Sequence, residues 1–265
     1  MTKKYKGYFF DLDGTIYLGD QLLPGALELI TKLREEKASI VFLSNNPTKD
    51  PAMYAEKLTR LGIPTAPSEI LNTVVTMVDW LKLNAIGKTI FVIGADPLKS
   101  AIENAGFTLS ETAEEIDIVI ASYDSNFDYR KLQIAFDAIW FHKKARLVAT
   151  NLDKYCPFPG GRGEPDTAAI VAAIEACTGV KCEVNVGKPD AFMAQTGMRQ
   201  MGLAAADCII VGDRLYTDIA MGKMAGMDSA LVLTGETNLQ MLAETEESDM
   251  PTYVLKSIEE LLIRN

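Results

Sequence analysis

Short strand-like runs alternate along this chain with longer stretches in which apolar residues recur at helical spacing. The clearest runs cover 8–10, 40–43, 183–186 and 208–211, and polar residues follow each of them directly or after one glycine. Short runs alternating with helical patterns are typical of parallel α/β structure. The pattern therefore predicts an α/β fold whose strands deliver polar side chains to the edge of the sheet where ligands bind in open α/β sheets.

The helical stretches have recognisable boundaries. Asp50 and Pro51 predict an N-cap and a first helical residue, and Gly62 ends the apolar stripe that follows them. Asp96 and Pro97 repeat this pattern. Apolar residues at helical spacing also predict a helix over 132–140, with Trp140 as the last member of its apolar stripe.

The distance along the chain between Ser44 and Lys188 predicts an inserted domain. This stretch is much longer than a helix pair and a strand need, and the excess predicts an insert of about 100 residues. The insert has strand-like runs of its own at 89–93, 116–121 and 146–149. We expect a core domain formed by 1–81 and 181–265, with an inserted domain at 82–180.

Candidate chemistry begins where the first run ends, in Asp11-Leu12-Asp13-Gly14-Thr15. Two close carboxyl groups do not share one proton environment, so one can stay ionised while the other holds a proton. Taken alone, this segment is equally compatible with an ordinary Asp-Gly turn after a strand.

The other three runs favour a chemical role over an ordinary turn, because their ends supply a hydroxyl, a lysine and two more acids. These residues are Ser44, Lys188, Asp213 and Asp218. Phosphoryl transfer needs such a set: a carboxylate to attack phosphorus, a second acid to move the proton, and acids to hold Mg²⁺. A lysine, a hydroxyl and backbone N–H groups can bind the phosphoryl oxygens.

These motifs resemble those of the haloacid dehalogenase superfamily, which are D-x-D-G-T, a Ser or Thr, a Lys and G-D-x-x-x-T-D. The S-N-N segment at 44–46, T-N-x-D at 150–153 and G-K-P at 187–189 are similar to subclass IIA, the NagD and p-nitrophenyl phosphatase group. The resemblance implies a Rossmann-like parallel-sheet core with an inserted α/β cap domain that closes over the active site.

The resemblance also implies a role for each matching residue. Asp11 would be the nucleophile and Asp13 the general acid/base, while Lys188 would neutralise the phosphate and Asp11. The phosphate-binding segment would be Ser44, Asn45 and Asn46, with Asn45 acting through its backbone N–H. Mg²⁺ would lie on the Asp11 carboxylate, the Asp13 carbonyl oxygen and Asp213, with Asp218 supporting these ligands from behind.

The predicted function is hydrolysis of small phosphate monoesters by a Mg²⁺-dependent phosphatase through an aspartyl-phosphate. A phosphomutase or phosphotransferase of the same superfamily would share all these motifs and stays open. A non-catalytic ligand-binding module is the alternative from a different class, but such a module would not need Asp13. The substrate itself stays open, because 153–164 departs from the stretch common in subclass relatives.

The composition of the chain narrows the classes of molecule that it is expected to bind. A net charge of −10 argues against nucleic acid and anionic membranes, so we expect a small-molecule phosphate ester as the ligand. We find no signal peptide or membrane-length apolar stretch, and expect a cytoplasmic protein. The sequence leaves the oligomeric state open, including a homo-oligomer. Cys177 and Cys208 stand in apolar surroundings and are predicted to be reduced core thiols.

The segment from Asp153 to Glu164 has two competing interpretations. Asp153 and Arg162 are candidate substrate-binding residues, yet Pro-Gly-rich stretches of this kind are equally often ordinary solvent loops. Cys156 and Arg162 also satisfy C-x5-R, the phosphate loop of cysteine-dependent phosphatases. Pro157 and Pro159 remove two of the backbone N–H groups which that chemistry needs, so we reject the cysteine mechanism.

Overall fold

The computed structural model describes residues 3–157 and 162–264 of the chain, which forms two compact units. The first unit comprises Met1–Ser44, Pro51–Leu71 and Lys188–Asn265, and the second comprises Asn45–Asp50 and Asn72–Gly187. The second unit contains all of the predicted insert, 82–180, and the role of this insert as a cap stays a prediction. Within the described ranges, none of the helices has the length and hydrophobicity of a membrane span.

The strands are β1 (Gly7–Asp11), β2 (Tyr17–Leu18), β3 (Gln21–Leu22), β4 (Ser39–Ser44), β5 (Ile70–Asn72), β6 (Thr89–Ile93), β7 (Thr108–Leu109), β8 (Ile118–Ala121), β9 (Arg146–Ala149), β10 (Tyr155–Pro157), β11 (Gly163–Pro165), β12 (Val184–Asn185), β13 (Cys208–Gly212), β14 (Asp228–Val232) and β15 (Tyr253–Leu255). The helices are α1 (Ala26–Glu35), α2 (Pro51–Arg60), α3 (Thr73–Asn84), α4 (Asp96–Asn104), α5 (Tyr129–Phe136), α6 (Thr167–Thr178), α7 (Ala191–Met201), α8 (Ala220–Ala225), α9 (Leu239–Ala243) and α10 (Glu260–Arg264).

The sheet of the first unit has the strand order β15-β14-β13-β1-β4-β5, with β1 parallel to both β13 and β4. In this register Asp11 lies opposite Leu43, and Phe10 lies opposite Val211. The carboxyl ends of β4, β1 and β13 therefore meet at one edge of the sheet. The three runs that precede Ser44, Asp11 and Asp213 are strands, as the sequence predicts.

The central strand β1 is buried along its whole length because it is covered on both faces. Tyr8 and Phe10 project into one apolar cluster together with Phe42 of β4. Phe9 is fully buried and meets Gly197 of α7, where a Cβ atom would lie 2.4 Å from Phe9 Cε1. The strand that ends in Asp11 is thus packed against apolar residues on both faces.

Gly197→Ala is expected to destabilise the fold, although alanine is the better helix former. The added methyl group would overlap the Phe9 ring, and overpacking of this kind costs about 1–3 kcal/mol. Urea denaturation of both proteins measures the difference. Gln195→Ala, at an exposed position of the same helix, is the control and should stay within about 0.5 kcal/mol of the parent. Equal stabilities of all three proteins would contradict this packing.

The second unit has a parallel sheet of its own, in the order β12-β9-β8-β6-β7. The run 183–186 belongs here, because Val184 pairs with Val148 and Asn185 with Ala149. The four runs that the sequence groups together thus divide between two sheets, and Lys188 enters the first unit just after an edge strand of the second. The predicted strands 89–93 and 146–149 have the observed bounds, and the one at 116–121 begins at Ile118.

Three local expectations are wrong. α4 begins at Asp96 with Ala95 as its N-cap, so Asp96 is the first helical residue. The predicted helix over 132–140 is present as α5 followed by a π-helical turn, but Trp140 is half exposed and stacked on Phe136 instead of lying in a buried stripe. Cys177 is exposed near the end of α6, whereas Cys208 is buried as expected, and neither forms a disulfide bond.

Candidate active site

Three neighbouring strands of the first unit place polar residues at one edge of the sheet. Ser44 ends β4, Asp11 ends β1, and Asp213 directly follows β13. Asp11 and Asp213 are largely buried. The sheet therefore brings together residues that are distant in sequence, at the edge where open α/β sheets bind ligands.

Lys188 joins two of the acids by hydrogen bonds. Its Nζ lies 2.5 Å from Asp11 Oδ1 and 2.6 Å from Asp218 Oδ1, and all three side chains are largely or fully buried. Burial lowers the pKa of Lys188, but the carboxylates of Asp11 and Asp218 outweigh burial and raise it. The lysine is thus held as a cation beside the candidate nucleophile.

Backbone N–H groups fix the two acids of the G-D-x-x-x-T-D segment. The N–H of Arg214 donates to Asp218 Oδ2 at 3.1 Å, so both oxygens of Asp218 have partners. The N–H of Glu236 donates to Asp213 Oδ2 at 2.6 Å. Asp213 Oδ1 is buried and has no hydrogen-bond partner within the described residues. A buried carboxylate oxygen without a partner is costly unless a ligand satisfies it.

The acids fit a divalent cation. Asp11, Asp213 and Asp218 each offer an oxygen, and these three atoms lie within 4.8 Å of one another. Carboxylate oxygens are the ligands that Mg²⁺ prefers. Glycine lets the acids sit here, because a Cβ atom at Gly235 would lie 2.0 Å from Asp213 Oδ2. Among the described residues, the lack of a hydrogen-bond partner for Asp213 Oδ1 is the observation that most directly supports a cation site here.

The pKa values of two acids agree with this interpretation. Burial and the nearby charges of Asp218 and Asp213 raise the pKa of Asp11 to about 7, against the opposing effect of Lys188. Burial and the charge of Asp218 raise the pKa of Asp213 to about 6. A bound divalent cation would favour the ionised forms of both groups.

Asp13 differs from Asp11 in its surroundings, because it is exposed and Asp11 is buried. The turn that carries Asp13 is fixed around Gly14, which has a φ of 83° and whose N–H donates to the Tyr17 carbonyl. The Gly14 carbonyl in turn accepts a 2.6 Å hydrogen bond from Thr234 Oγ1. Asp11 therefore ends the buried strand, whereas Asp13 lies on the turn that follows it and is open to water.

The predicted phosphate-binding segment divides between the two units. Ser44 lies in the first, and its Oγ is 2.9 Å from Tyr54 Oη. Asn45 and Asn46 follow it in the chain and belong to the second unit. Asn46 Oδ1 accepts hydrogen bonds from the N–H and the hydroxyl of Thr48, which shapes the local turn. The carboxamide of Asn46 thus has a structural part, and its contact with phosphate stays a prediction.

The two candidate substrate-binding residues of the insert lie in the second unit. Asp153 Oδ2 accepts a hydrogen bond from Asn45 Nδ2 at 3.0 Å. Arg162 is exposed and directly precedes β11, while residues 158–161 of the same loop lie outside the described residues. Substrate binding by either side chain stays a prediction.

A cluster of charged and polar side chains that the sequence motifs do not predict lies beside Asp213 and Asp218. Glu236 pairs with Arg214, Nε to Oε2 at 2.9 Å, and accepts a hydrogen bond from Tyr216 at 2.7 Å. Arg214 and Glu236 are the same residues whose N–H groups hold Asp218 and Asp213. Their side chains thus tie together the two loops that carry these donors. No sequence motif singles out Glu236.

Known proteins resemble this chain over nearly its whole length. A family model described as haloacid dehalogenase-like hydrolase matches residues 8–108, and a HAD-like hydrolase model matches residues 185–261. The sugar-phosphatase AraL of Bacillus subtilis is 37% identical over 96% of this chain and 91% of its own length. The 5'-nucleotidase YutF of the same organism is 31% identical over 97% of this chain and 98% of its own length.

Solved structures give the same result. The 4-nitrophenylphosphatase of Thermotoga maritima superposes with a TM-score of 0.90 at 34% identity, covering 97% of this chain and 96% of that one. NagD of E. coli superposes with a TM-score of 0.87 at 26% identity, covering 97% of this chain and 98% of that one.

The chain belongs to the haloacid dehalogenase-like hydrolases, in the NagD-like subclass IIA, and is a phosphoric monoester hydrolase. The family and the Rossmann-like α/β fold predicted from the sequence are confirmed, and so is phosphatase activity toward small phosphate esters.

Proposed function

We propose that this chain hydrolyses small phosphate monoesters by transferring the phosphoryl group first to Asp11 and then to water, with Mg²⁺ as its cation. The observation that carries the proposal is the buried set of Asp11, Lys188, Asp213 and Asp218, with one lysine between two of the acids and one orphaned carboxylate oxygen. The ion pairs of Lys188 with Asp11 and Asp218 give no role to Asp213, whereas a cation site gives one to its Oδ1.

In the first step Asp11 attacks phosphorus in line with the leaving alcohol. Lys188 fixes the orientation of the Asp11 carboxylate through Oδ1, which leaves Oδ2 as the attacking oxygen. The bond from Oδ2 to phosphorus forms while the bond from phosphorus to the ester oxygen breaks. Asp13, which is exposed and lies two residues after Asp11, donates a proton to the departing oxygen.

In the second step water attacks the phosphorus of the aspartyl-phosphate. Asp13, now ionised, takes the proton from this water, as the reversal of its first role requires. Its exposed position suits a group that exchanges protons with the leaving alcohol and then with water. Asp11 is released as a carboxylate, and inorganic phosphate leaves.

The phosphoryl oxygens need positive charge that the chain as a whole, at −10, does not supply. Lys188 provides a local cation, and Ser44 with the backbone N–H groups of the following asparagines provides hydrogen-bond donors. Bound Mg²⁺, held by Asp11, Asp213 and the Asp13 carbonyl oxygen with Asp218 in support, would neutralise charge on the transferring group.

For the substrate we propose a phosphorylated sugar. A relative at 37% identity is named a sugar-phosphatase and one at 32% an acid sugar phosphatase, while a 5'-nucleotidase at 31% keeps nucleotides as the second candidate. Arg162 would contact the part of the substrate beyond the phosphate. Substitution of Arg162 should then alter the order of preferred substrates. A contact that is made to one leaving group and not to another changes the relative transition-state binding of the two substrates.

We expect p-nitrophenyl phosphate and sugar phosphates to be hydrolysed with Mg²⁺, and all hydrolysis to stop in EDTA. Arg162→Ala should lower kcat/KM for the best sugar phosphate about tenfold more than for p-nitrophenyl phosphate. A panel of pentose, hexose and nucleoside monophosphates measures this. The control is Arg130→Ala, an exposed arginine of the same unit that pairs with Glu111. Proportional losses across the panel would rule out Arg162 as a selector, and full activity in EDTA would rule out the metal.

A further inference from the structure

Asn151, in the T-N-x-D segment at 150–153, has no part in the chemistry described so far, yet it contacts the residue next to Ser44. Asn151 is fully buried, and its Nδ2 donates to the carbonyl oxygen of Asn45 at 3.0 Å. Thr73, the first residue of α3, is also fully buried and donates its hydroxyl to the same carbonyl at 3.0 Å. One carbonyl thus accepts two side-chain hydrogen bonds from distant parts of the second unit.

The side chain of Asn45 is held as firmly as its backbone. Its Nδ2 donates to Asp153 Oδ2 at 3.0 Å, and the N–H of Asp153 donates to Asn151 Oδ1 at 3.3 Å. Gly187 packs against the same group, since a Cβ atom there would lie 2.5 Å from the Thr150 carbonyl oxygen and 2.9 Å from Asn45 Oδ1. The cluster therefore fixes the neighbours in sequence of both Ser44 and Lys188.

The hydrogen bonds to the Asn45 carbonyl also constrain the N–H of Asn46, because the two groups belong to the same peptide. The peptide between Asn45 and Asn46 is trans and planar, so its C=O and N–H point in opposite directions. Pinning the Asn45 carbonyl therefore sets the direction of the Asn46 N–H. Two hydrogen bonds to the carbonyl also polarise the peptide, which makes its N–H a stronger donor.

We propose that Thr73 and Asn151 are positioning residues of the phosphate-binding segment. By holding the Asn45 carbonyl they orient and polarise the Asn46 N–H toward the phosphoryl oxygens. This inference rests on the proposed function, because it assigns phosphate binding to the segment 44–46. A merely structural role would make the same residues matter for stability and leave phosphate affinity unchanged.

The chain offers a matched pair for the test in Thr73→Val and Thr76→Val. Both threonines are fully buried in the first turn of α3, and valine has nearly the same shape. The Thr73 hydroxyl donates to Asn45, whereas the Thr76 hydroxyl bonds only to carbonyls of 72 and 73 among the described residues. The two variants thus differ in whether the lost hydroxyl reaches the phosphate-binding segment.

The probes are inorganic phosphate, as a competitive inhibitor, and p-nitrophenyl phosphate. Thr73→Val should raise Ki and KM about fivefold, as the loss of one hydrogen bond implies, with kcat within about twofold of the parent. Thr76→Val should leave Ki and KM unchanged, and Thr73→Ser should restore them. Thermal unfolding of each variant measures the structural contribution separately.

Equal Ki values in Thr73→Val and Thr76→Val would overturn the positioning role. Should Thr73→Val not fold, Asn151→Ala measured against Thr150→Val takes its place, because Thr150 bonds through its hydroxyl to Ser122. An inactive parent protein that does not bind phosphate would refute the proposed function itself. An active parent with unaltered Ki in Thr73→Val or Asn151→Ala would refute only this inference.

Discussion

Asp11→Asn is expected to lower kcat for p-nitrophenyl phosphate about 10⁴-fold or more, as the loss of a covalent nucleophile does in other enzymes. The amide of asparagine cannot attack phosphorus as a carboxylate does. The fold should survive, because asparagine has the same shape and keeps an oxygen that can accept the hydrogen bond from Lys188. Steady-state kinetics and the unfolding temperature of the variant give the two readouts.

The matched control is Asp20→Asn, which removes the same charge from an exposed carboxylate that pairs loosely with Arg60. It should keep the activity of the parent. If Asp11→Asn retained turnover near that of the control, Asp11 would not carry the phosphoryl group. An unfolded Asp11→Asn would instead show that the acid is needed to balance Lys188, and Asp11→Glu would then test the nucleophile at constant charge.

Asp213→Asn is expected to weaken the binding of Mg²⁺ more than Asp218→Asn does. Asp213 keeps one buried oxygen without a partner within the described residues, as a direct ligand would, whereas Lys188 and the N–H of Arg214 occupy both oxygens of Asp218. Losing the direct ligand should raise the Mg²⁺ concentration for half-maximal activity more than about 100-fold. Losing Asp218, which supports the ligands from behind, should raise the same Mg²⁺ concentration about 10–100-fold.

Titration of activity with Mg²⁺ and direct binding of Mn²⁺ followed by EPR provide two independent measurements. Asp207→Asn is the control, because Asp207 is a partly exposed acid of the same unit that pairs with Lys6. Unshifted metal curves in both Asp213→Asn and Asp218→Asn would contradict the metal site. A larger shift in Asp218→Asn than in Asp213→Asn would exchange their roles.

Much of the first unit could be predicted from the sequence because its signals are local. The run before Asp11 is apolar at every position, as a strand covered on both faces must be, and β4 and β13 have the same pattern. Parallel strands bring their carboxyl ends to one edge, so the strand ends at 11, 44 and 213 lie together once the fold is α/β.

The remaining features depend on tertiary contacts that no periodicity encodes. The run before Lys188 pairs with β9 in the second sheet, since a short edge strand is placed by its partner and not by its own composition. Trp140 is exposed because a π-helical turn breaks the helical spacing. The bonds of Thr73 and Asn151 to one carbonyl join residues 28 and 106 positions away from Asn45.

The most direct test of the account is to locate the phosphoryl group during turnover. The protein is mixed with p-nitrophenyl phosphate and Mg²⁺, quenched in acid, treated with borohydride and digested for mass spectrometry. Borohydride reduces an acyl phosphate to the alcohol, so an aspartyl-phosphate becomes homoserine at its position. We predict homoserine at position 11, and none in the absence of substrate. Reduction at Asp13 or Asp213, or a phosphoryl group on Cys156, would contradict the account.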